Sequence, residues 1–398
     1  MTAHIAPPPL SSITLNLTRR AEVAAGVAGA HADTVDREAR FPAEAFSTLR
    51  GERLMSILVP ADLGGEGASV SDAVDICYVL GRACASSAMI FAMHQIMVAI
   101  LVRHARDSAW HQRLLRRLCA EQLLLASSTT DGTGGGDLRT SSCAVITADA
   151  RITLEKNAAV MSYGAEGDAI LTTARRSPDA GAADQVLVGL VRDDYSLERT
   201  GSWDALGMRG TCSAGFALKA AGDAEQVLPV PYAKILSQSM MPIAHLTWSG
   251  AWCGVAAGAV ERARAFLRTA SRRSGGQMPP GAAHLTRATG SLRTLRGLVA
   301  SELQRFEAVA DNEEELERIE FQAPLNLLKV NASELAVATV MSALQACGLS
   351  GYRNDGDFSV TRHLRDILSA PIMINNDRIL ASAATAALLI EVPNRLRN

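Results

Sequence analysis

The sequence predicts an α+β protein in three consecutive parts: an N-terminal helical domain, a small β-domain and a C-terminal helical bundle. Three observations predict it. From Leu15 to Gln122 apolar residues recur at three- and four-residue spacing, as in Ala45, Phe46, Leu49 and Val79, Leu80, Ala83, which places them on one face of a helix. Near Leu123 the period shortens. SCAVITADARITLEK, AILTTARR and QVLVGLVRD alternate apolar and polar residues and are enriched in Val, Ile and Thr, the composition of half-buried strands. From about Pro242 the helical spacing returns and continues towards the end of the chain.

Each part has its own local reasons. The opening MTAHIAPPPLSS lacks the apolar core of a signal peptide, so residues 1–14 read as a disordered arm. Residues 15–122 form the helical domain, whose abundant alanine favours high helicity and close helix contacts. Within it RLMSILVPADLGGEG interrupts the helices, because Pro60 blocks continuation and Gly64-Gly65 permits a tight turn. Residues 123–235 form the β-domain, with SPDAGAAD as one of its turns. Residues 236–398 form the bundle, with helices expected over Ala251–Arg272, Ala282–Asp311 and Ala323–Cys347. GGQMPPG and the acidic NEEELE separate them. Gln345 to Leu380 then reads as a helix end, a turn at Gly348 and Gly351, and a second helix opening near Val360.

Composition narrows the function classes. Hydrophobic residues make up 48%, charged residues 20%, and the formal net charge is −2. That balance gives no electrostatic reason to expect nucleic acid as a partner. The seven cysteines are scattered without a CxxC pair. A disulfide framework or a metal site is therefore not expected, and a reducing cytoplasm fits. No apolar run is read as reaching the ~20 residues of a membrane span.

The stretch QACGLSGYRNDGDFSVTRHLRDIL, with Gln345, Gly348, Gly351, Tyr352 and the Arg365-Asp366 pair, resembles the C-terminal signature of the acyl-CoA dehydrogenase family. WDALGMRGTCS is similar to that family's L-G-M-R segment through Leu206, Gly207, Met208, Arg209 and Thr211. The resemblance covers nearly the whole chain. It implies the acyl-CoA dehydrogenase fold, with a central small β-barrel domain, a four-helix-bundle domain, FAD as cofactor and a homo-oligomer, dimer or tetramer.

The resemblance also suggests site residues. TDGTGGGD, on its residues alone, is either a flexible surface turn or a backbone cradle for a ligand. It is similar to the family's flavin-holding T-E-P-G-A-G-S-D loop, through Thr130, Asp131, Gly134, Gly135 and Asp137, with Gly136 in place of the serine. Ser162 matches a hydroxyl near the flavin N5, where a donor would stabilise the reduced ring. Gln345, Gly348 and Gly351 match flavin contacts. Arg272 matches an arginine on the pyrophosphate, although Gly275 stands where a Phe is usual. Arg209 is expected in a buried ion pair. His245 falls where an arginine meets the thioester arm, with Trp248 on the same helix face as Trp252 and either core or ligand wall.

One position departs from the family. Eight residues past Asp366, where a catalytic Glu is usual, stands Ile374. Dehydrogenating an acyl thioester needs a base for the α-proton. Three alternatives follow. Asp377, on the same helix face as Ile374, takes the proton, or is merely ion-paired. The chemistry is instead that of the flavin-dependent monooxygenases of this fold, with His94 holding the oxygen adduct, unless His94 is only core. Or catalysis has been lost and the chain is a flavin- or acyl-binding scaffold. The expectation is an FAD-dependent enzyme oxidising an acyl thioester carried by CoA or an acyl carrier protein.

Overall fold

The computed structural model describes residues 12–131, 138–391 and 394–395. Helix α1 (Ser12–Glu38) begins inside the arm expected to be disordered, and Thr14 Oγ1 donates to Asp72 at 2.8 Å. The rest of that arm lies outside the described residues. Then come α2 (Ala43–Gly51), α3 (Val70–Ala83), α4 (Ala85–His104) and α5 (Ala109–Glu121). The break before α3 follows the expected turn at Gly64, which sits at φ 93°, but Gly67 rather than Gly65 takes the second positive φ, at 63°. Gly65 instead lacks room for a Cβ, which would stand 1.9 Å from Val59 O. Ser69 and Asp72 then start α3 with a reciprocal capping box.

Helix α4 is apolar on every side. An 18-residue window of its 20 residues has a mean hydropathy of 1.8, so α4, like the later helix Ile319–Cys347, is long and apolar enough to cross a membrane. That corrects the reading of no such run. In this fold 89% of α4's apolar window is buried inside the protein, which accounts for a helix without a polar face.

Two sheets follow. Strands β1 (Leu125–Ser128), β4 (Ala169–Arg175) and β5 (Gln185–Val191) form one, in the order β1-β4-β5. Strands β2 (Ile146–Ala148), β3 (Arg151–Met161), β6 (Tyr195–Arg199) and β7 (Ala214–Asp223) form the other, in the order β2-β3-β7-β6. The small β-domain is thus a pair of facing sheets rather than one continuous hydrogen-bonded ladder. Lys156 of β3 joins them, its Nζ donating to Ser128 O at 2.8 Å and Thr173 O at 2.9 Å.

A short α6 (Tyr232–Ile235) passes through a π-turn, Leu236–Met240, into α7 (Met241–Arg273), which starts well before the expected Ala251. Then follow α8 (Ala282–Val309), α9 (Glu313–Glu317), α10 (Ile319–Cys347), α11 (Leu349–Tyr352), α12 (Thr361–Ile367) and α13 (Asn376–Leu389). Helix α7 is the axis of the molecule. Gly250, Gly254 and Gly258 recur every fourth residue along it and face α3. A Cβ added at each would stand 2.9 Å from Val74 O, 2.3 Å from Tyr78 O and 2.5 Å from Arg82 O. No side chain larger than hydrogen fits that contact.

Candidate active site at the junction of sheet and bundle

The β-domain, α6 with its π-turn, α10 and the turn before α13 enclose a cleft of about 620 Å³. Leu138, Leu236, Met241, Ile374 and Ile379 make its apolar wall, and Arg139 and Arg378 bring two positive charges to it. Gln185 and Tyr232 also line it. Gln185 Oε1 and the Tyr232 hydroxyl are buried there with no hydrogen-bond partner. Buried polar atoms are nearly always satisfied, so this pair marks where a ligand with a donor and an acceptor belongs. The described lining residues include no Asp or Glu.

Ile374 occupies this wall at φ 44°, a left-handed conformation that a β-branched side chain rarely adopts. Lys329 of α10, which sequence reading passed over, holds the turn behind it. Its Nζ donates to Ile374 O at 2.9 Å and to Asn376 Oδ1 at 2.7 Å, while Asn376 Nδ2 donates to Ser333 Oγ at 3.1 Å. Burial pushes the Lys329 ammonium down to about 8, partly offset by Glu334. The signal was one lysine inside the apolar run NLLKVNA.

Asp377 does not join the cleft. It is exposed on the first turn of α13, its N–H donating to Asn375 Oδ1 at 2.8 Å, while Arg378, Ile379 and Ser382 face inward. The expectation that Asp377 replaces the missing base is corrected: the turn after Ile374 is not a continuous helix, so spacing of three does not mean a shared face. His94 is wholly buried. Its Nε2 donates to Met55 O at 2.7 Å and its Nδ1 accepts from Leu125 N–H at 3.0 Å. Both ring nitrogens are engaged in joining α4 to β1, and burial pushes the imidazole down to about 4. Any proton transfer by His94 has to break one of these bonds.

His245 and Trp248 lie deeper in the bundle than the cleft wall. His245 Nδ1 donates to Leu325 O at 3.1 Å, so Nε2 is the bare acceptor, and it has no partner. The Trp248 and Trp252 indole N–H groups are likewise buried without partners. Trp252 packs against Lys329, with Nζ 5.8 Å from the ring centroid. Arg209 is not in a buried pair: its carboxylate partner Asp204, at 3.2 Å, is 89% exposed, and its Nε donates to Asp36 O at 2.8 Å.

The chain matches the acyl-CoA dehydrogenase N-terminal domain over residues 18–122 and the acyl-CoA dehydrogenase C-terminal domain over residues 246–374, together more than half its length. It belongs to the acyl-CoA dehydrogenase family. Its relatives there are chemically diverse. An amino sugar nitrososynthase, DnmZ of Streptomyces peucetius, is 25% identical over 357 residues, 85% of this chain and 84% of that one. Cyclohex-1-ene-1-carbonyl-CoA dehydrogenase of Geobacter metallireducens is 26% identical over 386 residues, 95% and 97% of the two chains. Among solved structures, FMN-bound TdsC from Paenibacillus sp. A11-2 superposes with a TM-score of 0.83 at 18% identity, covering 95% of this chain and 98% of TdsC.

An acyl-CoA dehydrogenase fold implies a flavin, and the donor set fits one. A flavin ring edge carries N–H and C=O groups that complement an orphaned acceptor and donor such as Gln185 Oε1 and the Tyr232 hydroxyl. Thr130 is half-buried beside Asp131, whose carboxylate is tied down by Lys156 Nζ at 3.1 Å and by Ser142. Ser162 Oγ bonds Ser213 Oγ at 2.8 Å, and Ser213 bonds Thr211 Oγ1 at 2.7 Å. That hydroxyl chain orients Ser162. Gly134, Gly135 and Gly136 lie outside the described residues. Arg272, Gln345 and Gly348 are exposed, while Gly351 is buried. Gly281 abuts Ala346, so the start of α8 and the end of α10 share one end of the bundle, whereas Ile374 is held from Lys329, some seventeen residues back along α10.

Proposed function

We propose that this chain is a flavin-dependent monooxygenase of the acyl-CoA dehydrogenase fold, acting on a substrate with an anionic arm. One observation carries the reading: the cleft wall has Ile374 where a carboxylate is usual, and no Asp or Glu among its described residues. A cleft without a base has no means of taking a proton from carbon, whereas oxygenation of an electron-rich atom needs no such base. Bound flavin would supply the redox chemistry, delivering two electrons so that one oxygen atom of O₂ enters the substrate and the other leaves as water.

The chain's own residues do the rest. Gln185 and Tyr232 would hold the ring edge, while Thr130 and Ser162, which the family likeness puts on the flavin, are not among the described residues lining this cleft. Leu236, Met241 and Ile374 exclude water from the reacting end. Arg139 and Arg378 draw the substrate's anionic arm to the mouth. A second copy covering Arg272, Gln345 and Gly348 would favour FAD over FMN, and the exposed Leu349 and Tyr352 next to Gly348 suit a homo-oligomer.

The test is spectroscopic. Flavin-loaded protein is titrated anaerobically with short-, medium- and long-chain acyl-CoA, and separately supplied with reduced flavin, oxygen and thioether, amine or indole probes. The reading expects no bleaching by any thioester and an oxygen-dependent product one oxygen heavier. Bleaching by an acyl-CoA would overturn it. That outcome would support the second reading, oxidation of an acyl thioester carried by CoA or a carrier protein, which the dehydrogenase likeness over 95% of the chain favours.

A further inference from the structure

A second cavity, about 510 Å³, opens where the C-terminal end of α1, the turn before Arg209, the middle of α7 and α12 meet. It shares no lining residue with the cleft. Five arginines line it, Arg37, Arg209, Arg262, Arg362 and Arg365, against Asp33 and Asp36 among the described lining residues, while Asp204 pairs with Arg209 from outside the lining. Asp33 pairs with Arg362 at 3.0 Å, and Asp36 pairs with Arg365 through Oδ2, its Oδ1 being buried without a partner. Half-buried Arg262 donates, among the described residues, to a carbonyl, Ser359 O at 2.9 Å, and burial and the Arg362 charge push its guanidinium down, partly offset by Asp33 and Asp357. Arg37, exposed at the rim, donates to the Thr34 hydroxyl at 3.3 Å. His363, 3% exposed on the same wall, has Nδ1 without a partner. Burial, Arg362 and Arg262 hold its ring neutral, well below the usual imidazole range.

This wall is electrically unfinished. Like charges packed this closely repel, and a buried ring nitrogen without a partner is costly. A doubly charged group with several acceptor oxygens resolves both. We propose that this cavity binds a phosphate ester, with Arg37 and Arg262 as its grips and His363 as a further hydrogen-bond partner. Guanidinium forks match phosphate oxygens in pairs, and the volume is in the range of small-molecule sites rather than of a single carboxylate. The site does not depend on the flavin reading.

The experiment is calorimetric titration of the purified full-length chain, with whatever cofactor it carries, using inorganic pyrophosphate, AMP and, as control, acetate. Saturable binding of pyrophosphate or AMP is expected, weakening as salt rises, with acetate silent. Binding of AMP alone assigns the site to nucleotides; binding of both assigns it to the phosphate group. Arg37→Gln, at an exposed position that leaves folding intact, and Arg262→Ala each weaken binding about tenfold or more, while Arg139→Gln in the main cleft leaves it unchanged. No saturable binding by the unaltered chain, equal affinity in Arg37→Gln, or loss on Arg139→Gln instead overturns the proposal.

Discussion

Lys156 and Asp131 show how much a single pair bears in this chain. Lys156 is buried between the sheets and donates to Ser128 O, Thr173 O and the Thr173 hydroxyl as well as to Asp131. Burial pushes the Asp131 carboxyl up, yet Lys156 and the Ser142 bonds together hold it below its ordinary value. Lys156→Met removes the charge but keeps the chain length, leaving Asp131 buried and unpaired. The expected cost is about 3–5 kcal/mol, read as a drop in the urea midpoint without a change in slope. At Asp377 the opposite holds. It is exposed and off the cleft wall, so Asp377→Asn leaves turnover within about twofold of the unaltered chain, since removing a true base costs roughly 10²–10⁴-fold. A large loss of rate with intact flavin binding would return Asp377 to the mechanism.

Helix α7 carries the argument at the next scale. Its glycines at 250, 254 and 258 let α3 approach until backbone meets backbone. Gly254→Ala drives a methyl to 2.3 Å from Tyr78 O, and the expected loss is about 1–3 kcal/mol. Gly290 of α8 is the control. It is exposed, with nothing within 4 Å of a Cβ, so Gly290→Ala gains up to about 1 kcal/mol from helix propensity alone. If both changes move the urea midpoint the same way, the close approach of α3 and α7 is not what holds this interface. The two cases also show what was legible in the sequence. Periodicity placed the body of α7, α8, β2 to β5 and the turn at Gly348, because those signals are local, but not β1, β6 or β7. Nothing local told Gly254 from Gly290, because the difference lies in Tyr78, far away along the chain. The site divides in the same way. Ile374 was readable from its spacing to Asp366. The outward turn of Asp377, the double bonding of His94 and the reach of Lys329 to Ile374 O were not, since each depends on segments that meet only in the fold.

For the whole molecule the buried histidines set the response to acid. His94, His104, His111 and His245 are all buried, and burial is the main cause pushing each down to about 4. Two of them join separate elements: His104 Nε2 meets Ser239 Oγ of the π-turn at 2.8 Å, and His245 ties α7 to α10. Their folded values lie below the ordinary 6.5. Between those limits the unfolded chain takes up protons that the folded chain refuses. Stability therefore falls as pH drops from about 6.5 to about 4, each histidine contributing a slope of at most roughly 1.4 kcal/mol per pH unit. Asp366 works the other way. Burial raises its carboxyl to about 6 against Arg362 and the Met208 N–H, so over most of the same window the folded chain takes up one proton ahead of the unfolded one. His363 is lowered in the same way as the other histidines, and burial also raises Asp75 and Glu166, so five histidines face three carboxylates and the net slope still points to acid unfolding. Urea titrations at about pH 7, 6 and 5 measure it. His104→Gln keeps a polar partner for Ser239 and removes one titrating group, so its stability should fall less steeply by about one proton's worth. Equal slopes for His104→Gln and the unaltered chain would mean that His104 does not titrate on unfolding. A flat profile in the unaltered chain would mean that the buried imidazoles are not what acid attacks.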